Sequence, residues 1–586
     1  MSTLLCVPIT VQDVDAAIAD AVAARDGGAD LVEFRVDELV TGQLHDIQAL
    51  RRLINHSPLS CIMTCRIAQE GGAYTGNEEF RLALFAALMD PQRDHRPRFV
   101  DLELSAMAAA GPAGAATRNA PLAASAPPPA MDQIAPVDAL SLLSHAIDDA
   151  DRPSVILSIH DFSGRPADLS RRLVDACKFN PAVVKIAFRA RSLRDSLELL
   201  DLPTQLQRPT ISLGMGEFGL LSRVLAPKFG GFLTFAALRA SSATAPGQPT
   251  LSQLLSTYRF RSISPSTKVY GVVGWPVSHS LSPLIHNAGF EAVGHNGVYL
   301  PMPIPADQGP GSRSASSDIS LRATLVDLIE HPRLCLSGVS VTLPHKQSLI
   351  TLAREQGWRI GELASHIGAA NTLVIDRPLT GPPAAISVEN TDAPAIVAAM
   401  TDHYKLPRGT PLDKRVLVVG AGGVARAGAF ACCAAGAAVW IVNRDADKAR
   451  RLAADIRDSL PGAIVEAVAS ETVGSNPATW AGALAAAETY DIILQCTPLG
   501  MVGGPDPAGV PLDLRPLAVR NPDLVVFETV YTPRVTPLLS MANDLGLKTI
   551  DGLALFVRQA ALQFSMWTGK PAPTALFEQV LRETEA

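Results

Sequence analysis

The sequence predicts an α/β chain in two parts: an N-terminal (β/α)8 barrel, then a second α/β unit that contains a dinucleotide-binding domain. Three observations carry this. The chain has 586 residues, too many for one hydrophobic core and enough for roughly three or four units of about 150 residues. Short apolar runs, each followed by a helix-patterned stretch, recur from the N-terminus to about residue 240. A strand, a glycine-rich turn and an alanine-rich helix follow one another at residues 414–428.

The first runs are LLCVPIT, ADLVEFRVD, SCIMTCRI, RFVDLEL, SVILSIHDF, AVVKIAF, PTISLGMG and GGFLTFAAL. Eight buried strands alternating with helices such as VQDVDAAIADAVAARDGG describe a closed parallel barrel. Polar residues gather at the C-terminal ends of successive runs: Glu33 and Arg35, Arg66, Asp101 and Glu103, His160 and Asp161, Lys185. That end of a barrel is where catalytic groups sit. One such strand reads as a rim ion pair, but five in succession read as a site.

Lys185 is the sharpest of these signals. In VVKIAF it has valine, isoleucine, alanine and phenylalanine around it, a setting in which burial favours a neutral amine able to attack a ketone. A snorkelling lysine is the plainer reading of that residue alone. His160, one strand earlier, has the near-neutral titration that imine formation and elimination require, and alone it reads equally well as a satisfied core histidine.

Composition narrows the function classes. Hydrophobic content of 47% with 18% charged residues is ordinary for an α/β protein, and a net charge of -7 gives no ground for a nucleic-acid partner, so small organic substrates are expected. The eight cysteines lie in apolar contexts, among them Cys61, Cys65, Cys432, Cys433 and Cys496, with no C-x-x-C spacing. They read as reduced core residues, with no metal site. No apolar run of about 18 residues occurs and Leu4 to Thr10 reads as a strand, so a cytoplasmic protein with no membrane partner is expected.

Between Ser105 and Pro136 the chain becomes rich in alanine, proline and glycine, which predicts a flexible insertion after the fourth strand. Residues 240–267 read as the end of the barrel and a linker, and Asp307 to Ser317 as another surface loop. The second unit opens on KVYGVVGWPVSHSLSP, runs through GVSVTLPHK and AANTLVI, and reaches KRVLVVGAGGVARAG. There Gly420-x-Gly422-x-x-Ala425 forms the turn at which backbone and helix N-terminus can approach a pyrophosphate. The next strand ends in Asn443-Arg444, where an acidic residue would suit the ribose 2′-hydroxyl of NAD and arginine suits a 2′-phosphate. NADP (NADPH) is therefore the expected cofactor, provided that Asp445 points away from the phosphate.

Residues 1–255 resemble type I 3-dehydroquinate dehydratases through EFRVD (33–37), TCRIAQEGG (64–72), DLEL (101–104), SIHDF (158–162), VVKIAF (183–188), GMGEFGLLSR (214–223) and TAPGQ (244–248). Residues 268–586 resemble shikimate dehydrogenases through SHSLSP (278–283), SVTLPHK (340–346), AANT (369–372), ENTDA (389–393), GAGGVARA (420–427), NRDADK (443–448), CTPLGM (496–501), VYTPRVTPLL (530–539) and DGLALFVRQA (551–560). The fused order resembles the bifunctional dehydratase–dehydrogenases of the shikimate pathway, which make precursors of aromatic amino acids. The resemblance implies a substrate-binding domain from residues 268–405 and 540–586 and a Rossmann NADP domain from 406–539.

By the same resemblance Lys185 is the Schiff-base lysine, His160 the general acid/base and Glu70 its orienting partner, while Glu33, Arg35, Arg66, Arg223, Thr244 and Gln248 bind substrate. In the second unit it implies Lys346 and Asp392 as the catalytic pair, with Ser280, Ser282, Thr342, Asn371, Tyr531 and Gln559 on the substrate. The implied cofactor positions are Gly420, Ala421, Gly422, Gly423, Val424, Asn443, Arg444, Lys448 and Gly552. Four positions depart from the family pattern: Thr244 stands for serine, Ser340 for asparagine, Ala393 for glycine and Asp445 for a hydroxyl residue. The expected reactions are dehydration of 3-dehydroquinate and NADPH-dependent reduction of 3-dehydroshikimate to shikimate. Two alternatives remain open. Asp445 fits an NAD-linked catabolic quinate or shikimate dehydrogenase, and a non-catalytic quinate-sensing regulator is opposed by the presence of all four catalytic residues and the lack of a basic DNA-binding segment.

Overall fold

A computed structural model describes residues 2–40, 46–89, 96–109, 154–306, 315–378, 381–407, 409–468, 484 and 488–585. The chain divides into two compact units, Met1–Thr267 and Lys268–Ala586.

In the first unit eight strands form one parallel sheet: β1 (Leu4–Thr10), β2 (Leu31–Arg35), β3 (Cys61–Thr64), β4 (Phe99–Glu103), β5 (Ser154–Asp161), β6 (Val183–Arg189), β7 (Thr210–Met215) and β8 (Leu233–Phe235). Their order is β7-β6-β5-β4-β3-β2-β1-β8. The amide of Phe232, just before β8, donates to Thr210 O of β7 at 2.9 Å and brings the two ends together as a barrel. Side chains alternate across a strand, so every second residue faces inward. Cys6, Leu31, Ile62, Phe99, Ile156, Val183, Ile211 and Leu233 share one inner apolar cluster. Two residues further along five of those strands stand Glu33, Thr64, Asp101, Ser158 and Lys185, which puts a polar layer on the apolar one.

Packing extends past residue 255. Tyr258, Phe260 and Ile263 are buried, and Lys228 Nζ donates to Pro265 O (2.7 Å) and Thr267 O (2.9 Å). The stretch expected to be a linker is thus tied to the barrel up to Thr267. The insertion expected from Ser105 begins inside the helix Leu104–Ala109, and its remainder, 110–136, lies outside the described residues. Likewise Ala315–Ser317 opens the helix Ala315–Glu330 instead of ending a loop, while 307–314 lie outside the described residues.

The second unit holds two six-stranded sheets. The first contains β9 (Lys268–Gly274), β10 (Gly297–Pro303), β11 (Leu336–Val341), β12 (Arg359–Ile360), β13 (Thr372–Asp376) and β14 (Ala385–Glu389), in the order β10-β9-β11-β13-β14-β12, with β13 antiparallel to its neighbours. The second contains β15 (Arg415–Val419), β16 (Ala438–Val442), β17 (Val465–Ala467), β18 (Ile492–Gln495), β19 (Val525–Glu528) and β20 (Lys548–Ile550), all parallel, in the order β17-β16-β15-β18-β19-β20. Numbered within the sheet this is 3-2-1-4-5-6, the doubly wound dinucleotide-binding order, whose reversal between β15 and β18 opens a crevice at the strand ends. The expected boundary at 539/540 needs correction: β20 pairs with β19, so this sheet continues to Ile550. The helices Gly552–Thr568 and Thr574–Glu585 then return to the first sheet, where Phe556, Phe564, Trp567 and Phe577 join Tyr270, Phe290 and Tyr299 in one aromatic core.

Candidate active sites

In the barrel the alternation that aims Val184 and Ile186 away from the axis aims Lys185 toward it. Its Nζ lies 2.8 Å from Asp101 Oδ2, 3.3 Å from Glu33 Oε1 and 4.5 Å from the centre of the Phe235 ring. The expectation of wholly apolar surroundings is therefore corrected, because the neighbours along the strand are not the neighbours across the barrel. Thr64 Oγ1 donates to the same Glu33 oxygen at 2.8 Å. Arg66 spreads its fork over Asp101 (2.7 Å), Ser158 (2.8 Å) and Glu103 (3.0 Å). Behind it Arg81, from the helix Glu78–Leu88, pairs with Glu103 at 2.8 Å and donates to Cys65 O at 2.7 Å. Burial opposes charge on Arg66, but Asp101 and Glu103 outweigh it and hold the guanidinium higher than usual; burial likewise opposes charge on Asp101, and Arg66 and Lys185 hold it well below the carboxylate range.

His160, on the same face of β5 as Ser158, places Nδ1 3.1 Å from Glu70 Oε2, whose other oxygen accepts from Ser105 at 2.8 Å. Burial, then the cations of Arg66 and Lys185, push the imidazole well below its ordinary value, while burial raises Glu70. The ring is thus neutral near pH 7. A neutral ring that donates from Nδ1 to Glu70 keeps Nε2 as an acceptor. Glu70 sits on a tight turn: a side chain at Gly72 would collide with the Arg66 carbonyl, and one at Gly71, at φ 79°, with the ring of Phe162.

The other expected barrel residues hydrogen-bond outside the Lys185 network, although the charge of Arg35 is felt by His160. Arg35 is held by both oxygens of Asp37 (2.9 and 3.0 Å). Arg223 is buried and donates from Nε to Gly214 O at 3.1 Å, and burial lowers it to about 10. The Thr244 amide and hydroxyl both donate to Gln248 Oε1 (3.0 and 3.2 Å), while Gln248 Nε2 is buried with no hydrogen-bond partner among the described residues. Asp101 and Glu103 carry strand-end signals in the sequence, but their pairing with Lys185, Arg66 and Arg81 does not.

In the second unit Lys346, first residue of the helix Lys346–Gln356, donates to Asp392 Oδ2 at 2.6 Å. Asn371 Nδ2 donates to Asp392 Oδ1 at 2.8 Å, and Asn371 Oδ1 accepts from the Thr391 amide (2.8 Å) and from Thr372 Oγ1 (2.9 Å). Sequence reasoning missed what lies behind this pair. Gln563 donates to Asn371 O and Thr372 Oγ1 (3.1 and 3.0 Å) and accepts from Ser340 at 2.7 Å, which in turn accepts from Tyr299 at 2.7 Å. Ser340 is one of the departures from the family pattern, and here it is a link in a buried chain of hydrogen bonds. The Tyr531 hydroxyl bonds with Ser280, and Ser282 bonds with Tyr299. Gln559 donates to Phe556 O at 3.3 Å, and the Thr342 amide to Val273 O at 2.8 Å.

At the crevice Gly420 has φ 120°, and open space lies where a side chain at Gly422 would stand. The helix Gly423–Ala434 begins there with no side-chain cap, so its N-terminal amides remain available to an anion. Asp445 caps the helix Ala446–Ser459 by accepting from the Lys448 amide at 3.2 Å, with Lys448 Nζ 4.0 Å from its other oxygen. Asn443 Nδ2 donates to Asp445 O at 2.9 Å. The carboxylate at Asp445 is therefore engaged with its own helix. A side chain at Gly552 would meet Val530 O, which accounts for that glycine by packing.

A barrel with a buried lysine and a neutral histidine at its strand ends, joined to a unit built for a dinucleotide, defines a two-headed enzyme, a lyase fused to an oxidoreductase. Models of three families match: type I 3-dehydroquinase over residues 5–265, the shikimate dehydrogenase substrate binding domain over 272–373, and the shikimate 5′-dehydrogenase C-terminal domain over 552–582. The chloroplastic bifunctional 3-dehydroquinate dehydratase/shikimate dehydrogenase of Arabidopsis thaliana is 32% identical, over 99% of this chain and 84% of that protein. The shikimate dehydrogenase (NADP(+)) of Citrifermentans bemidjiense is 33% identical over 54% of this chain and 96% of its own length. A crystal structure of a shikimate dehydrogenase in complex with NADP+ aligns with a TM-score of 0.43 at 28% identity, covering 55% of this chain and 96% of that one. The chain belongs to the family of bifunctional 3-dehydroquinate dehydratase/shikimate dehydrogenases.

Proposed function

We propose that the barrel dehydrates 3-dehydroquinate through an imine on Lys185, and that the second unit reduces the 3-dehydroshikimate so formed to shikimate with NADPH. The observation that carries this reading is that each unit holds one buried lysine paired with a buried carboxylate.

In the barrel His160 takes a proton from the Lys185 ammonium, the free amine adds to the substrate ketone, and the proton passes to the carbinol hydroxyl, which leaves as water. The resulting imine withdraws electrons and acidifies the neighbouring C–H. His160 Nε2 takes that proton and delivers it to the departing hydroxyl, so that a second water leaves. Hydrolysis of the imine then frees Lys185, and the net change is loss of one water. Arg223 has no carboxylate partner among the described residues, which suits it to the substrate carboxylate. Arg35 and Arg66, already paired with Asp37 and Asp101, supply positive field, and we assign Glu33, Thr244 and Gln248 Nε2, which has no partner among the described residues, to the hydroxyl groups.

The open turn at Gly420, Ala421, Gly422, Gly423 and Val424 fits a dinucleotide pyrophosphate, with Asn443, Arg444 and Lys448 on the adenosine side. The cofactor, when bound, supplies the hydride. Lys346 delivers a proton to the nascent alkoxide oxygen, and Asp392, held by Asn371, keeps the ammonium aimed. We assign Ser280, Ser282, Thr342, Asn371, Tyr531 and Gln559 to the substrate carboxylate and ring hydroxyls. We assign the nucleotide domain to about residues 406–551 and the substrate domain to the flanking segments.

Purified protein incubated with 3-dehydroquinate is expected to generate enone absorbance without cofactor, and to oxidise NADPH in preference to NADH once either is added. Absence of enone overturns the dehydratase reading, and faster turnover with NADH overturns the cofactor assignment in favour of the NAD-linked alternative.

A further inference from the structure

Glu528, the last residue of β19, is fully buried, and no cation pairs with it among the described residues. Its Oε1 accepts from the Val530 amide and its Oε2 from Thr536 Oγ1, each at 2.9 Å. Those two partners bracket the connection between β19 and the helix Pro537–Asp544, and Thr536 is the cap of that helix. Directly after Val530, Tyr531 stacks on Phe556 with ring centres 4.5 Å apart and bonds with Ser280.

We propose that Glu528 is a positioning residue of the dehydrogenase site, its carboxylate clasping both ends of the loop that presents Tyr531. The inference rests on the reading that Tyr531 meets the substrate. Both oxygens are needed as acceptors, one for a backbone amide and one for a hydroxyl, and protonation converts one of them into a donor. Burial raises Glu528 to about 7, so the clasp changes state near neutral pH. The titratable group facing it is the Cys496 thiol, which burial and then Glu528 itself push well up and which stays neutral there.

The test measures steady-state kinetics of shikimate oxidation for Glu528→Gln, Thr536→Val, Thr536→Ser and Tyr531→Phe, with dehydratase activity as a control in the other unit. Glu528→Gln and Thr536→Val are expected to raise KM for shikimate about fivefold, with kcat within about twofold and KM for NADP unchanged, while Thr536→Ser, which keeps the hydroxyl, behaves as wild type. In wild type that KM should rise as pH falls from about 8 to about 6, and in Glu528→Gln it should be flat. If Tyr531→Phe raises KM but Glu528→Gln does not, the positioning role is overturned. If neither raises it, the reading of Tyr531 fails and takes the proposal with it. Equal losses in kcat and in KM for NADP signify general loosening of the unit, and also overturn it.

Discussion

Carboxylates at 2.8 and 3.3 Å fix the direction in which Lys185 points before any substrate arrives. Borohydride added with 3-dehydroquinate is expected to trap a covalent adduct on Lys185 and to stop dehydration only, and a label found elsewhere by mass spectrometry rules the imine assignment out. His286 poses the opposite case. It stacks on Tyr299 at 4.5 Å, neither ring nitrogen meets a partner among the described residues, and burial brings it down to about 3. A histidine lowered on folding contributes stability above its unfolded value near 6.5 and loses it as pH falls toward the folded value. Between about pH 7 and pH 4 the wild type should therefore lose roughly 2–3 kcal/mol more stability than His286→Phe, read as melting followed by dehydrogenase activity. Parallel losses would show that His286 titrates no differently when folded. At this scale the sequence betrayed inward-facing strand residues through their two-residue spacing, but Arg81 and Gln563 lie on helices whose 3.6-residue pattern gives no sign of a polar partner on a distant strand.

Elements hold these residues through their ends. The turn carrying Glu70 closes against the Arg66 carbonyl at Gly72, so Gly72→Ala must displace the turn. Dehydratase kcat/KM is expected to fall at least tenfold, about 1.4 kcal/mol, with shikimate oxidation unchanged, and retention of full dehydratase activity would show that Glu70 does not need that turn. The helix Ala446–Ser459 makes the cofactor question one of capping. Asp445 spends its carboxylate on the Lys448 amide, and serine caps about as well as aspartate. Asp445→Ser should accordingly leave stability within about 0.5 kcal/mol and lower KM for NADP slightly, whereas Arg444→Ala should raise KM for NADP far more than for NAD. A larger rise for NAD would place Arg444 away from the 2′-phosphate. The eight barrel strands, and β9, β11, β13, β15 and β16 of the other two sheets, were legible from their apolar runs. By contrast β20 is three residues, Lys-Thr-Ile, too short to show a period, and only pairing with β19 reveals that the nucleotide sheet continues past residue 539.

Across the whole molecule each unit closes its own polar network. Lys185, Asp101, Glu33, Arg66, Glu103, Arg81, His160 and Glu70 make ion pairs with one another within residues 1–267, and within 268–586 the ion pair of Lys346 and Asp392 is extended by the hydrogen bonds of Asn371, Thr372, Gln563 and Ser340. Fused order was legible because the motifs of the two halves never interleave, while the exact seam was not, since Phe260 and Ile263 are scattered apolar residues in a polar stretch and only packing assigns them to the barrel. Each network described above joins residues of one unit, so removal of a charge from it is expected to act on the chemistry of that unit. Lys185→Ala is therefore expected to lower dehydration by at least about a thousandfold and leave NADP-linked shikimate oxidation within about twofold of wild type, with Lys346→Ala doing the reverse. Additivity should hold too: the double variant should show each single loss and no more. A well-folded single variant that lost both activities would mean that the two chemistries depend on one another in a way their separate networks do not provide.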